Sequence, residues 1–303
     1  MSKIEEALRH ANNMRRPQGA QPQSLAGRGL MRAPGSAVTD IESRQHARDE
    51  IARMTDKERI SGKELADSRI IYPDMRDGRI VDAFRNLRTR LIQKGGAGNM
   101  VLMVTSVTRG DGSTFVARNL AVSFAFDESK TALLVDCNLR NPGLMGRNGT
   151  PLQRGLTDYL ESGDLPVEDI IYSVGIPRLR MIPSGARREV PAEYFTSLKM
   201  RQLLDALKAR YAERYVVLDA PAVTESADSR ILAELADHVL LVVPYGRVSE
   251  SQIMAAARAI GAQKLFGVVF NNEPSVSGVW RDICTGSGVL SALGRLFGRR
   301  AGA

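Results

Sequence analysis

Short apolar runs alternate with amphipathic stretches along most of the chain, and this alternation predicts a layered α/β protein. A run that is apolar at consecutive positions is typical of a strand buried on both faces, and helices between such strands indicate a parallel sheet. We therefore expect a mostly parallel, doubly wound sheet with helices on both faces. The runs that predict its strands are residues 100–107, 131–138, 178–185, 215–221, 238–246 and 265–272.

The two ends of the chain lack this rhythm. Residues 1–15 place apolar side chains on one helical face and predict a short docking helix, the alternative being a frayed terminus. Residues 16–77 are rich first in Pro, Gln and Gly and then in charge, which predicts a flexible arm. Residues 276–303 end in a basic amphipathic helix that either packs on the core or binds an acidic membrane surface or a partner. The main domain is therefore expected to span residues 78–275.

The charge balance narrows the partners, because 42 Lys and Arg residues against 34 Asp and Glu residues give a formal net charge of +8. This favours anionic partners such as nucleotides or acidic lipids. The basic residues are dispersed and not interleaved with aromatic ones, so we expect no nucleic acid partner. Cys137 and Cys284 lack metal-ligand spacing, and the sequence shows neither a signal peptide nor an apolar span of about 20 residues. We expect a reduced, cytoplasmic protein.

A glycine-rich turn follows the first predicted strand, in the sequence TSVTRGDGSTF of residues 105–115. Glycines let successive backbone N–H groups point at one anion, and the start of a helix favours phosphate. The hydroxyl of Thr114 is suited to Mg²⁺, whereas Val107 and Ser113 depart from the GxxxxGK[ST] pattern of a phosphate-binding loop. The predicted nucleotide-binding residues of the turn are Gly110, Asp111, Gly112, Ser113 and Thr114.

Two further strands end in aspartates. Asp136 is followed by Asn138 and Arg140, and Asp219 ends a later apolar run. Carboxylates directly after apolar strands are costly to bury without a cation, and Mg²⁺ together with phosphate supplies one. The sequence therefore predicts a Mg²⁺ site of Thr114, Asp136 and Asp219. Arg140 is predicted to bind the nucleotide beside it.

Together these segments resemble the bacterial tyrosine kinases, or BY-kinases, the cytoplasmic ATPases that accompany polysaccharide co-polymerases. In that family the Walker A loop reads close to TSxxPGEGKST, the second acidic motif reads DxDxR and the Walker B strand ends in DxPP. The corresponding segments here are TSVTRGDGSTF, DCNLR and VVLDAPA. The resemblance covers residues 78–272 densely. The start, MSKIEEALRHA, is similar to that of a subgroup associated with exopolysaccharide loci.

The resemblance implies a deviant P-loop NTPase fold that binds ATP or ADP with Mg²⁺, with Asp136 and Asn138 at the catalytic centre. By analogy with related ATPases, Asn271 would recognise adenine, the alternative being ordinary turn chemistry after a strand. The implied partner is a membrane polysaccharide co-polymerase of the Wzz type, or another export component, at the inner face of the bacterial inner membrane. The residues implied in assembly of a homo-oligomer are Asp82, Arg85 and Arg88.

The departures from the family pattern lie at positions that the family uses for phosphoryl transfer. Ser113 stands where the Walker lysine belongs, and Asn138 replaces the second carboxylate. No tyrosine follows Tyr245, so the family's C-terminal tyrosine cluster is missing. Arg109 is the candidate for a catalytic cation in place of the lysine, the alternative being a solvated loop charge. We therefore expect a nucleotide-binding protein with impaired or lost kinase activity, acting in exopolysaccharide biosynthesis or export.

Other functions stay open at this point. An active, atypical tyrosine kinase would use Arg109 and phosphorylate another protein. A positioning ATPase similar to MinD and ParA would share the deviant P-loop and the basic tail, although such proteins carry a signature lysine where this chain has Thr108. A dinucleotide oxidoreductase is disfavoured, because GDG alone is an incomplete G-x-G-x-x-G turn.

Overall fold

Seven strands form one sheet within the residues that the computed structural model describes, namely 59–95, 99–143, 154–209 and 214–272. The order is β3-β4-β2-β5-β1-β6-β7. β3 pairs antiparallel with β4, and the other pairs are parallel, which confirms the predicted sheet. The strands are β1 (Met100–Ser106), β2 (Thr131–Asp136), β3 (Tyr172–Ser173), β4 (Leu179–Ile182), β5 (Arg214–Asp219), β6 (His238–Pro244) and β7 (Leu265–Asn271).

Helices cover both faces of this sheet, as the doubly wound prediction requires. The first three helices contribute their buried side chains to the apolar core on one face, and the other five contribute to the core on the opposite face. A 3₁₀ turn at Val167–Ile170 adds to the second face. The helices are α1 (Gly62–Asp67), α2 (Gly78–Gly95), α3 (Ser113–Ala125), α4 (Leu156–Glu161), α5 (Pro191–Thr196), α6 (Leu198–Ala209), α7 (Ala227–Leu235) and α8 (Glu250–Ile260).

The unbroken apolar runs follow from this sandwich of three layers. Side chains alternate between the two faces of a strand, so Val101 and Met103 enter one core while Leu102 and Val104 enter the other. Every residue of β1 is buried, as is every residue of β2 and β5. These central strands therefore have no solvent face on which polar residues would be needed.

The register of the sheet brings the chemically active strand ends together. Asp136 and Asp219, the last residues of β2 and β5, are direct partners across the ladder. β1 lies on the other side of β5, and its last residue, Ser106, leads into the glycine-rich turn. Ligands of open α/β sheets bind in the crevice outside the carboxyl ends of such strands. The fold thus places the predicted site where this architecture binds ligands.

The prediction of a flexible arm as far as residue 77 is wrong for residues 59–77. Ser61 caps α1 in a capping box with Glu64, and Leu65, Ile70 and Ile71 are buried in the core that lies against α3. The composition of this stretch does not show the anchoring, because only three of its described residues are buried and the stretch as a whole is charged. The predicted docking helix of residues 1–15 and the predicted tail of residues 276–303 lie outside the described residues.

Asn119 ties this anchored segment to α3. Its buried side chain accepts the Ile71 N–H at 2.8 Å and donates to the carbonyl oxygens of Arg69 at 3.0 Å and Phe115 at 2.9 Å. A buried amide that makes three hydrogen bonds fixes its partners, because leaving any of them unpaired costs roughly 1–3 kcal/mol. The segment before α2 is therefore an integral part of the domain.

We expect Ile71→Ala to lower the free energy of unfolding by about 2–5 kcal/mol, the usual cost of emptying a buried isoleucine site. Ile71 is 1% exposed, so its side chain loses nearly all of its contacts. Urea denaturation of the full chain measures the change. Leu198→Ala removes a similar volume from a side chain that is 69% exposed and should change stability by less than about 0.5 kcal/mol. Equal effects of the two variants would contradict the anchored segment.

Helix α2 carries the three residues that the family resemblance implies in oligomer assembly. Asp82 and Arg85 form an exposed ion pair of 3.5 Å. Arg88 instead donates from Nη1 to the carbonyl oxygen of Ser123 at 2.6 Å, which joins α2 to α3 within the chain. A role of Asp82, Arg85 and Arg88 between copies stays a prediction, and Arg88 also stabilises the packing of the two helices within the chain.

Candidate nucleotide and magnesium site

The glycine-rich turn joins β1 to α3 in a left-handed backbone conformation at two positions. Gly110 has φ +84° and Gly112 has φ +94°, values that side-chain-bearing residues rarely adopt. Gly112 is the N-cap of α3 and provides no side-chain hydrogen bond to the first turn, which also lacks acidic residues. The first N–H groups of a helix have no partner within it. This helix start is thus suited to an anion.

The turn is braced internally by its own carboxylate. Asp111 is fully buried and accepts the backbone N–H of Thr108 at 2.6 Å and the Thr108 hydroxyl at 2.9 and 3.0 Å. The side chain of Asp111 therefore shapes the turn, and a direct contact of Asp111 with the nucleotide stays a prediction. Arg109 lies at the exposed tip, where its backbone N–H donates to Glu225 at 2.9 Å.

Asn271 contacts the glycine-rich turn, and its recognition of adenine stays a prediction. Its Nδ2 donates to the carbonyl oxygen of Asp111 at 2.9 Å, and a Cβ atom at Gly112 would collide with it. The end of β7 is thereby fastened to the phosphate-binding turn. From the sequence alone, an Asn after a strand is interpreted as a turn residue or as a ligand of a base. The contact between Asn271 and the glycine-rich turn joins distant parts of the chain, so the local sequence does not indicate it.

We expect Gly112→Ala to be more destabilising than Gly110→Ala. Both substitutions place an alanine at positive φ, at a cost of roughly 1–2 kcal/mol. Only at Gly112 must the new methyl group displace Asn271, and losing that hydrogen bond adds about 1 kcal/mol. Urea denaturation of both variants isolates the second contribution. Identical losses would show that the Asn271 contact contributes nothing.

The two strand-end aspartates form the acidic part of the site. Asp136 is fully buried and accepts the backbone N–H groups of Asn138 at 2.9 Å and Gly143 at 3.0 Å. Asp219 is 1% exposed, and its Oδ1 has no hydrogen-bond partner among the described residues. Burial, and then the charge of Asp136, raise the pKa of Asp219 to about 8, although a hydrogen bond from Thr114 opposes this rise. Without a cation, Asp219 therefore holds a proton at neutral pH.

These residues fit a Mg²⁺ ion. The unpartnered Oδ1 of Asp219 lies beside Asp136 and Thr114, and a divalent cation would compensate the charge that burial disfavours. No group of three or more His, Cys, Asp or Glu side chains suited to a metal occurs in the described part of the chain. Mg²⁺ is commonly held by one or two carboxylates together with substrate phosphates. A metal ion here would accordingly bind together with a nucleotide.

The remaining predicted residues divide into two groups. Asn138 is partly buried next to Asp136. The site therefore has an amide at the position where the family has its second carboxylate. Arg140 is 46% exposed and forms an ion pair of 3.5 Å with the buried Asp228, and its binding of the nucleotide stays a prediction. Cys137 packs in the core, and burial raises the pKa of its thiol well above the usual value, which excludes a reactive thiolate.

Sequence reasoning missed Arg118, on the second turn of α3. The side chain is partly buried, and its positive charge is close enough to Asp219 to lower the pKa of that carboxyl group. Residues four apart lie on the same helical face, so the spacing from Thr114 was the available signal. Arg118 is overlooked when only the glycine-rich loop is searched for a cation, because it lies on the helix that follows the loop.

The parallel sheet, the glycine turn at the head of α3 and the acidic strand ends define a P-loop ATPase type of protein. Comparisons with known proteins narrow this class. Tyrosine-protein kinase CpsD of Streptococcus agalactiae serotype III is 29% identical over 205 residues, which cover 67% of this chain and 87% of that protein. Tyrosine-protein kinase YwqD of Bacillus subtilis strain 168 is 32% identical over 174 residues, covering 57% and 72% respectively. The chain belongs to the bacterial tyrosine-kinase family, as its motifs predict.

Two further comparisons bear on fold and setting. The solved tyrosine kinase domain of BceF is 26% identical, with a TM-score of 0.57, and the match covers 72% of this chain and 92% of that domain. The succinoglycan biosynthesis transport protein ExoP of Rhizobium meliloti strain 1021 is 27% identical over 215 residues, covering 67% of this chain and 26% of that protein. No family model matches the chain.

Proposed function

We propose that this chain is a nucleotide-binding member of the bacterial tyrosine-kinase family in which phosphoryl transfer is impaired, and that it acts in exopolysaccharide biosynthesis or export. The observation that carries the proposal is the pairing of buried Asp136 and Asp219 beside a helix start that carries no lysine. The acidic pair and the open N–H groups supply what binding needs. The lysine and the second carboxylate that transfer uses are absent at positions 113 and 138.

Nucleotide binding and phosphoryl transfer depend on different groups, so one can persist when the other is lost. Backbone N–H groups at a helix start hold phosphate without help from a side chain, and Mg²⁺ needs few protein ligands. Transfer depends on positive charge aimed at oxygens whose charge grows in the transition state, and on a group that accepts the proton of the attacking hydroxyl. Ser113 and Asn138 supply neither of these. The site is therefore suited to nucleotide-dependent assembly more than to catalysis.

The proposed setting is the inner face of the bacterial inner membrane, with a polysaccharide co-polymerase or another export component as partner. Support comes from the similarity to ExoP, a protein of succinoglycan biosynthesis and transport. Among the described helices, none combines the length and the apolar character that a bilayer span requires. The proposal assigns membrane attachment to a partner or an acidic surface, and self-association to the exposed Asp82 and Arg85 on α2.

Calorimetry with Mg²⁺-ATP and Mg²⁺-ADP tests the binding half of the proposal. Wild-type protein is expected to bind with a micromolar Kd, on the order of −8 kcal/mol. Asp219→Asn should weaken binding at least tenfold, because it removes a metal ligand, whereas Asp205→Asn on the exposed face of α6 should not. Absence of binding at millimolar nucleotide would contradict the proposal and leave a scaffold without nucleotide.

Incubation with radiolabelled ATP and a tyrosine-containing copolymer tests the transfer half. Transfer to the copolymer at the rate of an active tyrosine kinase would contradict the impaired chemistry. It would instead identify the chain as an active, atypical kinase. Nucleotide binding with little or no labelled tyrosine is the expected result.

A further inference from the structure

Arg118 occupies a position from which its charge reaches the nucleotide site. It follows Thr114 by four residues on α3, a rise of about 6 Å along the axis on the same face of the helix. Side chains on a helix lean toward its N-terminus and cover the turn before their own Cα atom. The side chain of Arg118 is thus directed along α3 toward the turn of Ser113 and Thr114.

The charge of Arg118 has no partner outside the site among the described residues. The side chain is partly buried, yet its guanidinium group forms no hydrogen bond or ion pair with any described residue. Burial lowers its pKa, and the charge of Asp219 opposes this. Two other arginines near the site differ, since Arg109 is exposed at the loop tip and Arg140 is paired with Asp228. Among these three, Arg118 is the one whose charge acts on Asp219.

We propose that Arg118 is the cation of the nucleotide site: it faces Asp219 when no metal is bound, and it binds a phosphate oxygen of the Mg²⁺-nucleotide in place of a loop lysine. This inference rests on the proposed nucleotide binding and adds the residue that replaces the lost charge. Arginine donates several hydrogen bonds in a fixed fork that matches phosphate oxygens. Delivery from the second helical turn explains how a loop with Ser113 retains affinity for an anion.

Calorimetry of Mg²⁺-ATP with Arg118→Gln, Arg118→Lys and wild type tests the proposal. Loss of a charge-assisted hydrogen bond is expected to raise the Kd of Arg118→Gln at least tenfold. Arg118→Lys keeps the charge and should retain most of the affinity. Arg201→Gln removes an exposed arginine on α6 and is the matched control, expected to bind as wild type does. Thermal unfolding of each variant without nucleotide reports whether it folds.

A rescue makes the test specific for charge. Ser113→Lys in the Arg118→Gln background is expected to restore affinity to within about threefold of wild type, whereas Ser113→Lys alone should add less than threefold. A tenfold or larger gain from Ser113→Lys alone would show that the wild-type site lacks a cation, and it would overturn the proposal even if Arg118→Gln did not fold. Unchanged affinity in folded Arg118→Gln, or a loss confined to Arg109→Gln, would also overturn it. If wild type binds no nucleotide, the proposed function fails first, and this inference fails with it.

Discussion

The Asp219→Asn substitution is expected to stabilise the nucleotide-free protein increasingly as the pH rises from 5 to 8. An aspartate in an unfolded chain titrates near pH 3.9, whereas burial and Asp136 raise the pKa of Asp219 in the folded protein to about 8. Between these values the folded state binds more protons than the unfolded state, so stability falls as the pH rises. The slope approaches about 1.4 kcal/mol per pH unit, and the substitution abolishes this contribution because an asparagine side chain does not titrate.

Urea denaturation at pH 5, 6, 7 and 8, in a chelator and without nucleotide, measures this effect. The free energy of unfolding of the variant minus that of wild type should grow by about 1 kcal/mol per pH unit. Asp205→Asn, on the exposed face of α6, is the matched control and should stay within about 0.5 kcal/mol at every pH. A difference that stays constant across the range would contradict a buried, protonated Asp219.

Installing the two missing groups together, as Ser113→Lys with Asn138→Asp, is expected to raise phosphoryl transfer to tyrosine by two orders of magnitude or more. A general base contributes typically 10²–10⁴-fold, and a preorganised cation on the phosphates adds transition-state stabilisation. Asn138 follows Asp136 by two residues, and its backbone N–H donates to that carboxylate at 2.9 Å, so an aspartate at position 138 would add a negative charge close to Asp136. The expected gain is in kcat, because a general base acts only in the transition state and Ser113→Lys alone is expected to change affinity by less than threefold.

Labelled phosphate transferred to a tyrosine-containing copolymer at saturating Mg²⁺-ATP measures that gain. The control is Ser113→Gln with Asn138→Gln, which adds side-chain length at both positions without charge. Equal rates for the double variant and wild type would show that Ser113 and Asn138 are not what limits transfer. Equal rates for the double variant and the uncharged control would show that any gain comes from bulk alone.

Much of the fold is predictable from the chain because its central strands are buried on both faces. Such strands leave unbroken apolar runs, and the runs ending at Ser106, Asp136 and Asp219 also mark the site, since each delivers its polar residue to one edge of the sheet. β3 is not predictable in this way, because a strand of two residues is too short to show a hydrophobic pattern. The anchored segment around Ile71 is equally hidden, since its burial depends on Asn119 of a distant helix.

The site is less predictable than the fold. The spacing of residues in the sequence indicates where a side chain lies, but it does not indicate which group that side chain contacts. The motif assigns Asp111, Arg140 and Asn271 to the nucleotide, yet each has a partner within the protein: Thr108, Asp228 and the turn itself. The partner of Asp111 lies in the same turn, whereas the partners of Arg140 and Asn271 come from distant segments of the chain. Arg118 is a different case, since a charged residue within a helix is usually solvated, and the sequence does not show that the charge of this one acts on Asp219.

The hydrogen bonds of Asn119 make the start of α3 and the segment before α2 a single mechanical unit. A ligand that displaces this helix by even a fraction of an ångström must either carry residues 69–71 with it or break the bonds that Asn119 makes to them. Such coupling is reciprocal, so a protein that pulls on the chain ahead of Ile71 would alter nucleotide affinity by the same factor by which nucleotide alters the binding of that protein. Asn119 thus gives a direct mechanical connection between the helix that follows the phosphate turn and residues 69–71.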